Sequence, residues 1–189
     1  GIRFVNNDAG DNAFGACLTA GCKVNWGDEL FSGHAAIQLS NIQGDILFHN
    51  NSSYAGSAIF VNGTESMLSI SGVKGNVSFT GNRADTFGGA IYFETGSVSE
   101  NNVLSIQHVQ GDVLFENNSA TYFGGAICSS APTEDEYGRP TDPANARIML
   151  LADGGDITFQ NNVMYAGGTA PIANAILTDG KHTMELGAA

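Results

Sequence analysis

Basic side chains are scarce in this chain: seven Lys and Arg stand against nineteen Asp and Glu, a formal charge of −12. An excess of that sign repels nucleic-acid backbones and anionic lipid head groups, so neither is expected as a partner. Long apolar runs are also missing, and none approaches the roughly 18 residues that a membrane-spanning helix requires. Proline is rare at 4 residues while glycine is abundant at 25, and without a Gly-x-y period that balance excludes collagen. With only 3 cysteines, complete pairing within the chain is impossible. Cys17 and Cys22 are close enough to close a small loop disulfide, which would suit an oxidising compartment. The alternative is that all three are small apolar fillers, with Cys128 taking the place of a repeat side chain. His34, His49, His108 and His182 lack metal-ligand spacing, and no regular Gly/Asp nonapeptide builds a calcium ladder, so no metal and no other cofactor is expected.

What the chain does contain is repetition. Hydrophobic residues make up 42%, enough to form a sizeable core. A short β-prone segment runs into Phe-x-x-Asn at Phe48/Asn51, Phe79/Asn82, Phe115/Asn118 and Phe159/Asn162, with a clipped copy at Phe4/Asn7. A Gly/Ala-rich turn ending in Ala-Ile follows each time. It reads Gly88-Gly89-Ala90-Ile91 and Gly124-Gly125-Ala126-Ile127 in its fullest form, and Gly56-Ser57-Ala58-Ile59 one copy earlier. The turn is degenerate at Phe14-Gly15-Ala16-Cys17 and at Ala166-Gly167-Gly168-Thr169, the last copy dissolving into Gly168-Thr169-Ala170-Pro171-Ile172. Repeats of this length cannot bury their apolar faces alone, so each must stack on its neighbours.

Each unit offers three strand-like stretches with period-two alternation, exemplified by Leu68-Ser69-Ile70, Val77-Ser78-Phe79 and Ala90-Ile91-Tyr92. The motif phenylalanines lie 44, 31, 36 and 44 residues apart, so insertions fall in turns while the strand order holds. The expected fold is therefore all-β: a right-handed parallel β-helix with three strands per coil and about five to six coils, stacked about 4.8 Å apart. Val77, Phe79, Val113, Phe115, Ile157 and Phe159 are expected inside it. Asn51, Asn82, Asn118 and Asn162 are expected in the following turn with their amides bonded along the axis, and Asp45, Asn76, Asp112 and Asp156 as turn-formers. The chain opens inside a repeat and stops in a strand-like segment, as expected of a single fragment, residues 1–189, cut from a longer array.

Two regions stand apart from the repeat. Residues 131–145 hold three of the four prolines and a cluster of acids, and are expected to project as an irregular loop with Tyr137 and Arg139 as anchors. Phe60, Tyr92 and Cys128 are expected to align on the outer face of strand three as an apolar strip suited to side-by-side association. Polysaccharide lyases and hydrolases also use β-helices, but place carboxylates, and often Lys or Arg, on adjacent coils. The outward positions expected here, Gln38, Ser69, Ser105, Leu47, Ser78, Leu114 and Thr158, carry no ionisable group. A polysaccharide-processing enzyme is the weaker alternative, and a purely structural spacer is another.

Phe-x-x-Asn alternating with Gly-Gly-Ala-Ile over about residues 2–176 resembles the repeat of the polymorphic outer-membrane proteins first known from chlamydiae. The resemblance implies a type V autotransporter with a β-helical passenger at the bacterial cell surface, or secreted after cleavage, and a membrane barrel outside this fragment. It implies adhesion or self-association rather than catalysis, with a host-cell surface receptor, a glycan or other copies of the chain as partner. Its two motifs map onto Phe48, Asn51, Phe79, Asn82, Phe115 and Asn118, and onto Gly88, Gly89, Ala90, Ile91, Gly124, Gly125, Ala126 and Ile127 as the implied binding residues.

Overall fold

Alternation in Val77-Ser78-Phe79-Thr80 sends Val77 and Phe79 to one side of the backbone, and both are fully buried in a strand over Val77–Thr80. The same happens in Ile46–His49 and Val113–Glu116. A computed structural model describes residues 1–10, 13–21, 24–26, 29–31, 34–95, 101–130, 145–178 and 181–188, and every regular element among them is a strand.

The strands stack almost wholly in parallel, as a β-helix requires. Sheet two holds Ile2–Val5, Ile46–His49, Val77–Thr80, Val113–Glu116 and Ile157–Gln160, in the register Phe4, Phe48, Phe79, Phe115, Phe159. Sheet three stacks Leu18–Ala20, the start of Ile59–Val73, then Ile91–Thr95, Ile127–Ser130 and Ile176–Thr178. Sheet one stacks His34–Ser40, the end of Ile59–Val73, then Asn102–Val109, Asn145–Ala152 and Lys181–Ala188. Each sheet thus has five rungs, in line with the expected coil number. Because Ile59–Val73 runs from sheet three into sheet one without a break, the two form one nine-stranded sheet.

The coil also has a short fourth side that the sequence pattern does not announce. Ser52–Ser53, Arg83–Ala84, Ser119–Ala120 and Val163–Met164 pair in parallel, two residues per rung. Ile172–Ala173 closes that ladder antiparallel against Val163–Met164. An antiparallel pair, Val24–Trp26 with Glu29–Phe31, lies between sheet three and sheet one of the first coil.

Inside, like residues stack on like. Ile59, Ile91 and Ile127 share one column, Leu68, Leu104 and Ile148 another, and all six are wholly buried. The phenylalanine rings of sheet two stack face to face, with four successive centroid distances of 4.8 Å. That distance is the coil spacing itself, so ring stacking and strand pairing are satisfied by one geometry.

Insertions recur at the corner between sheet three and sheet one. There the chain passes directly from Gly63 to Ser66 in one coil, but carries residues 96–101 and 131–144 in the next two. The flanks of the acidic, proline-containing segment are therefore Ile127–Ser130 and Asn145–Ala152, as expected. Residues 131–144, with Tyr137 and Arg139, lie outside the described residues.

Candidate binding surface

The Phe-x-x-Asn residues form the spine of the coil. Asn7, Asn51, Asn82 and Asn118 each donate a side-chain N–H to Oδ1 of the next asparagine, at 2.8, 2.9, 2.9 and 2.9 Å. The second N–H of Asn51, Asn82, Asn118 and Asn162 donates backwards to the carbonyls of Phe4, Phe48, Phe79 and Phe115. Each Oδ1 from Asn51 to Asn162 also accepts the backbone N–H of the asparagine before it. Every polar group of these buried amides between the ends is thereby used, which burial demands. The residue just before each ladder asparagine has a left-handed backbone: Asn6, Asn50, Asn117 and Asn161 at φ of 56°, 52°, 55° and 54°, with Gly81 at 65°. Gly and Asn adopt that region at less cost than most residues, which explains the recurring Asn-Asn and Gly-Asn doublets.

A second, exposed ladder runs beside the first. Asp45, Asn76 and Asp112 accept the backbone N–H of Asn76, Asp112 and Asp156 at 2.8, 2.8 and 2.9 Å. These residues are turn-formers, as expected, and also tie one coil to the next.

The glycine motif has an equally direct cause. Gly56, Gly88 and Gly124 occupy φ of 59°, 61° and 68°, and a Cβ on Gly88 or Gly124 would strike the carbonyl of Ile91 or Ile127. A Cβ on Gly89 would meet the Gly125 carbonyl of the adjoining coil. Ala90, Ile91, Ala126 and Ile127 then point inward and are wholly buried. The last copy falls later than expected. Asn174-Ala175-Ile176, not residues 166–172, lies in register with Gly125-Ala126-Ile127, because the backbone N–H groups of Gly125 and Ala126 bond to Asn174 and Ala175. Residues 165–171 are an insertion before it.

In the inner copies the Phe, Asn, Ala and Ile of both motifs offer no surface to a partner. Phe48, Phe79, Phe115, Asn82 and Asn118 are wholly buried, and Asn51 is 1% exposed. The accessible chemistry sits at the neighbouring corner, where the residue before the glycine pair is aromatic in three copies: Phe14, Phe87 and Phe123. These rings fold against the outer face of sheet three. Phe14 lies 4.6 Å from Phe60, Phe87 lies 5.5 Å from Tyr92, and Phe87 and Phe123 stack at 6.0 Å.

Phe60, Tyr92 and Cys128 do align along sheet three, as expected, with Leu177 continuing the row. The expectation of an open apolar strip is corrected: Phe60, Tyr92 and Cys128 are 5, 8 and 2% exposed, because the aromatic column covers them and forms a second, outer core. The exposed apolar surface belongs to the covering residues instead, with Phe14, Tyr122 and Phe123 each 43% exposed. Past Phe123 the column ends, leaving an open groove of about 440 Å³ walled by Phe87 and Phe123 and floored by Tyr92, Cys128 and Leu177. At its edge the Ser130 hydroxyl donates to the Tyr92 hydroxyl at 3.0 Å. Burial, and next the charge of Glu94, push the Tyr92 phenol well above its ordinary range, so its proton stays in place.

The family model of the Chlamydia polymorphic membrane protein repeat matches residues 76–94 and 112–130. Both matched spans begin just before a sheet-two strand and end in sheet three, so each takes in one Phe-x-x-Asn and one Gly-Gly-Ala-Ile. These two spans carry the polymorphic membrane protein repeat. No curated protein and no solved structure matches the chain. In the terms of this repeat, Phe79/Asn82 and Phe115/Asn118 are the inward spine, and Gly88 to Ile91 and Gly124 to Ile127 are the turn that re-enters sheet three.

The remaining expected residues lie apart from the polymorphic membrane protein motifs. Cys17 carries a free, half-buried thiol, 3.6 Å from the Asn7 amide nitrogen; Cys22, its expected disulfide partner, lies outside the described residues. Cys128 is buried in the outer core. On sheet one, Gln38, Ser69 and Ser105 share a row that continues through Met149 to Glu185. Glu185 there receives Arg147 at 3.2 Å. Ser105 is 3% exposed, not open to solvent as expected.

Proposed function

We propose that the chain is a β-helical passenger segment of a surface-displayed autotransporter of the polymorphic membrane protein type, acting in adhesion to host cells or in self-association and without catalysis of its own. The observation that carries this reading is the repeat match at residues 76–94 and 112–130, laid on an axial amide ladder that runs from Asn7 to Asn162. Such a ladder makes a stiff rod whose side faces are free for contact, while the motif residues maintain its shape. Partners on this reading are a host-cell receptor or glycan, or further copies of the chain. Residues 131–145, Tyr137 and Arg139 included, remain proposed recognition elements.

The test is binding of fluorescently labelled chain to host epithelial cells, beside a version in which 132–143 is replaced by a Gly/Ser linker, with sedimentation to follow self-association. Saturable binding, or concentration-dependent assembly, is the expected result. A folded chain that does neither would leave the second reading, a structural spacer. The burial of Phe48, Phe79 and Phe115 and of Asn51, Asn82, Asn118 and Asn162 favours that reading, since it accounts for the repeat without any contact to a partner.

A further inference from the structure

Three features of the groove beyond Phe123 bear on what it holds. Its wall is an aromatic stack: Phe123 lies on Phe87 with the rings within 11° of parallel, and Phe123 is 43% exposed. The hydroxyl-bearing residues Tyr92, Ser130 and Thr178 line it beside those rings, and among the described residues no carboxylate or basic side chain does. The Ser130–Tyr92 bond uses the Ser130 proton and a Tyr92 lone pair, which leaves the Tyr92 O–H as a donor and the Ser130 oxygen as an acceptor.

We propose that this groove is a saccharide subsite that takes one uncharged pyranose unit of a glycan. A pyranose has a face of C–H groups, slightly positive, which packs on the negative face of an aromatic ring, and an edge of hydroxyls that both donate and accept. The groove offers those two surfaces side by side. Its size of about 440 Å³ suits a small ligand and lies within the usual range of such sites. A second copy of the chain fits less well. An apolar protein face pressed into the groove would leave the spare Tyr92 donor and Ser130 acceptor unused, and two chains of charge −12 repel each other. The same charge argues against sialylated or sulfated glycans, leaving a neutral sugar.

This inference rests on the reading of the chain as a displayed binding module, and narrows its ligand. The test follows amide chemical shifts of the isotope-labelled full chain while lactose, maltose or methyl β-galactoside is added at millimolar concentration. A heparin tetrasaccharide and sialyllactose run in parallel. Expected are saturable shifts confined to Phe87–Tyr92, Phe123–Ser130 and Ile176–Thr178 with at least one neutral sugar and none there with the anionic ones. Phe123→Ala should weaken that binding at least about tenfold, the loss of one stacking partner. Tyr92→Phe, which keeps the ring and therefore the outer core, should weaken it severalfold.

Absence of shifts with all three neutral sugars overturns the proposal, as does equal or stronger binding of an anionic glycan. So does an assembly state that Phe123→Ala abolishes, which would make the groove a contact between copies. Cell binding by wild-type chain that persists in Phe123→Ala would sink the subsite while leaving the broader reading intact. Cell binding and self-association both absent in folded wild-type chain would sink the broader reading itself.

Discussion

Asn82 reaches Asn118 twice: its side-chain N–H and its backbone N–H meet the same Oδ1 at 2.9 and 3.0 Å. The oxygen is wholly buried, so both bonds are made where water cannot replace them. Substituting Asn82→Ala strands the amide of Asn51 and the carbonyl of Phe48 in the coil before, and takes a donor from Asn118 Oδ1 in the coil after. The expected loss is about 3–4 kcal/mol, because several buried groups lose partners at once. Urea denaturation measures it; a loss below about 1 kcal/mol would mean the ladder is incidental to stability.

Gly88→Ala should destabilise by more than about 2 kcal/mol, since alanine must take a left-handed backbone and also push the Ile91 carbonyl aside. Gly10, at φ 79° with open space around its would-be Cβ, is the control. There the same substitution should cost only about 1 kcal/mol, the backbone penalty alone.

Phe79→Leu removes a ring stacked between Phe48 and Phe115 at 4.8 Å on both sides. It should cost about 1–3 kcal/mol, with Phe79→Ala costing about 3–5. Thermal unfolding followed by circular dichroism distinguishes the two.

Ser129 points inward in a column with Val61 and Phe93, is wholly buried, and its hydroxyl meets no hydrogen-bond partner among the described residues. Ser129→Ala should therefore stabilise the chain, by about 1 kcal/mol, by removing a desolvated hydroxyl. A midpoint shift to lower urea concentration would contradict this.

Burial pushes the Cys17 thiol up to about 11, against a smaller downward pull from the Asn7 amide. Thiolate is the reactive form, so alkylation of Cys17 by iodoacetamide should be slow at neutral pH and rise only as pH nears 11. The linkage has a definite sign. A raised folded pKa leaves stability untouched below the unfolded value near 9; above it the unfolded chain ionises first, and stability falls as pH climbs towards 11. Stability that rises over that interval would contradict the burial.

Much of this architecture is legible in the residues. Val77 and Phe79 alternate with Ser78 and Thr80, so their inward placement follows from period two, and the asparagine three residues on follows as a stacked turn residue. The fourth side of the coil was not legible, because a rung of two residues, such as Arg83–Ala84, has no period to detect. The left-handed backbone before each ladder asparagine did leave a signal: Asn50, Gly81, Asn117 and Asn161 are the two residue types that tolerate it. The aromatic corner was legible only in part. Phe60, Tyr92 and Cys128 were recognisable as a row, but what covers them arrives from another side of the coil. The clue was the phenylalanine before the glycine pair at Phe14, Phe87 and Phe123. Strand pattern says which face a side chain leaves by, not which neighbour folds back over it.

The corner between sheet three and sheet one admits chain of any length, from the direct passage at Gly63–Ser66 to the stretch 131–144. The asparagine and aspartate ladders stand on other sides of the coil and are untouched by what is inserted there. The molecule thereby separates what must stay fixed from what is free to vary. The segments inserted after Thr95 and after Ser130 are both joined to the described coil at that corner, so their attachment points lie in successive coils. A partner recognising that corner would meet both of them, so replacing one segment should reduce binding in steps rather than abolish it.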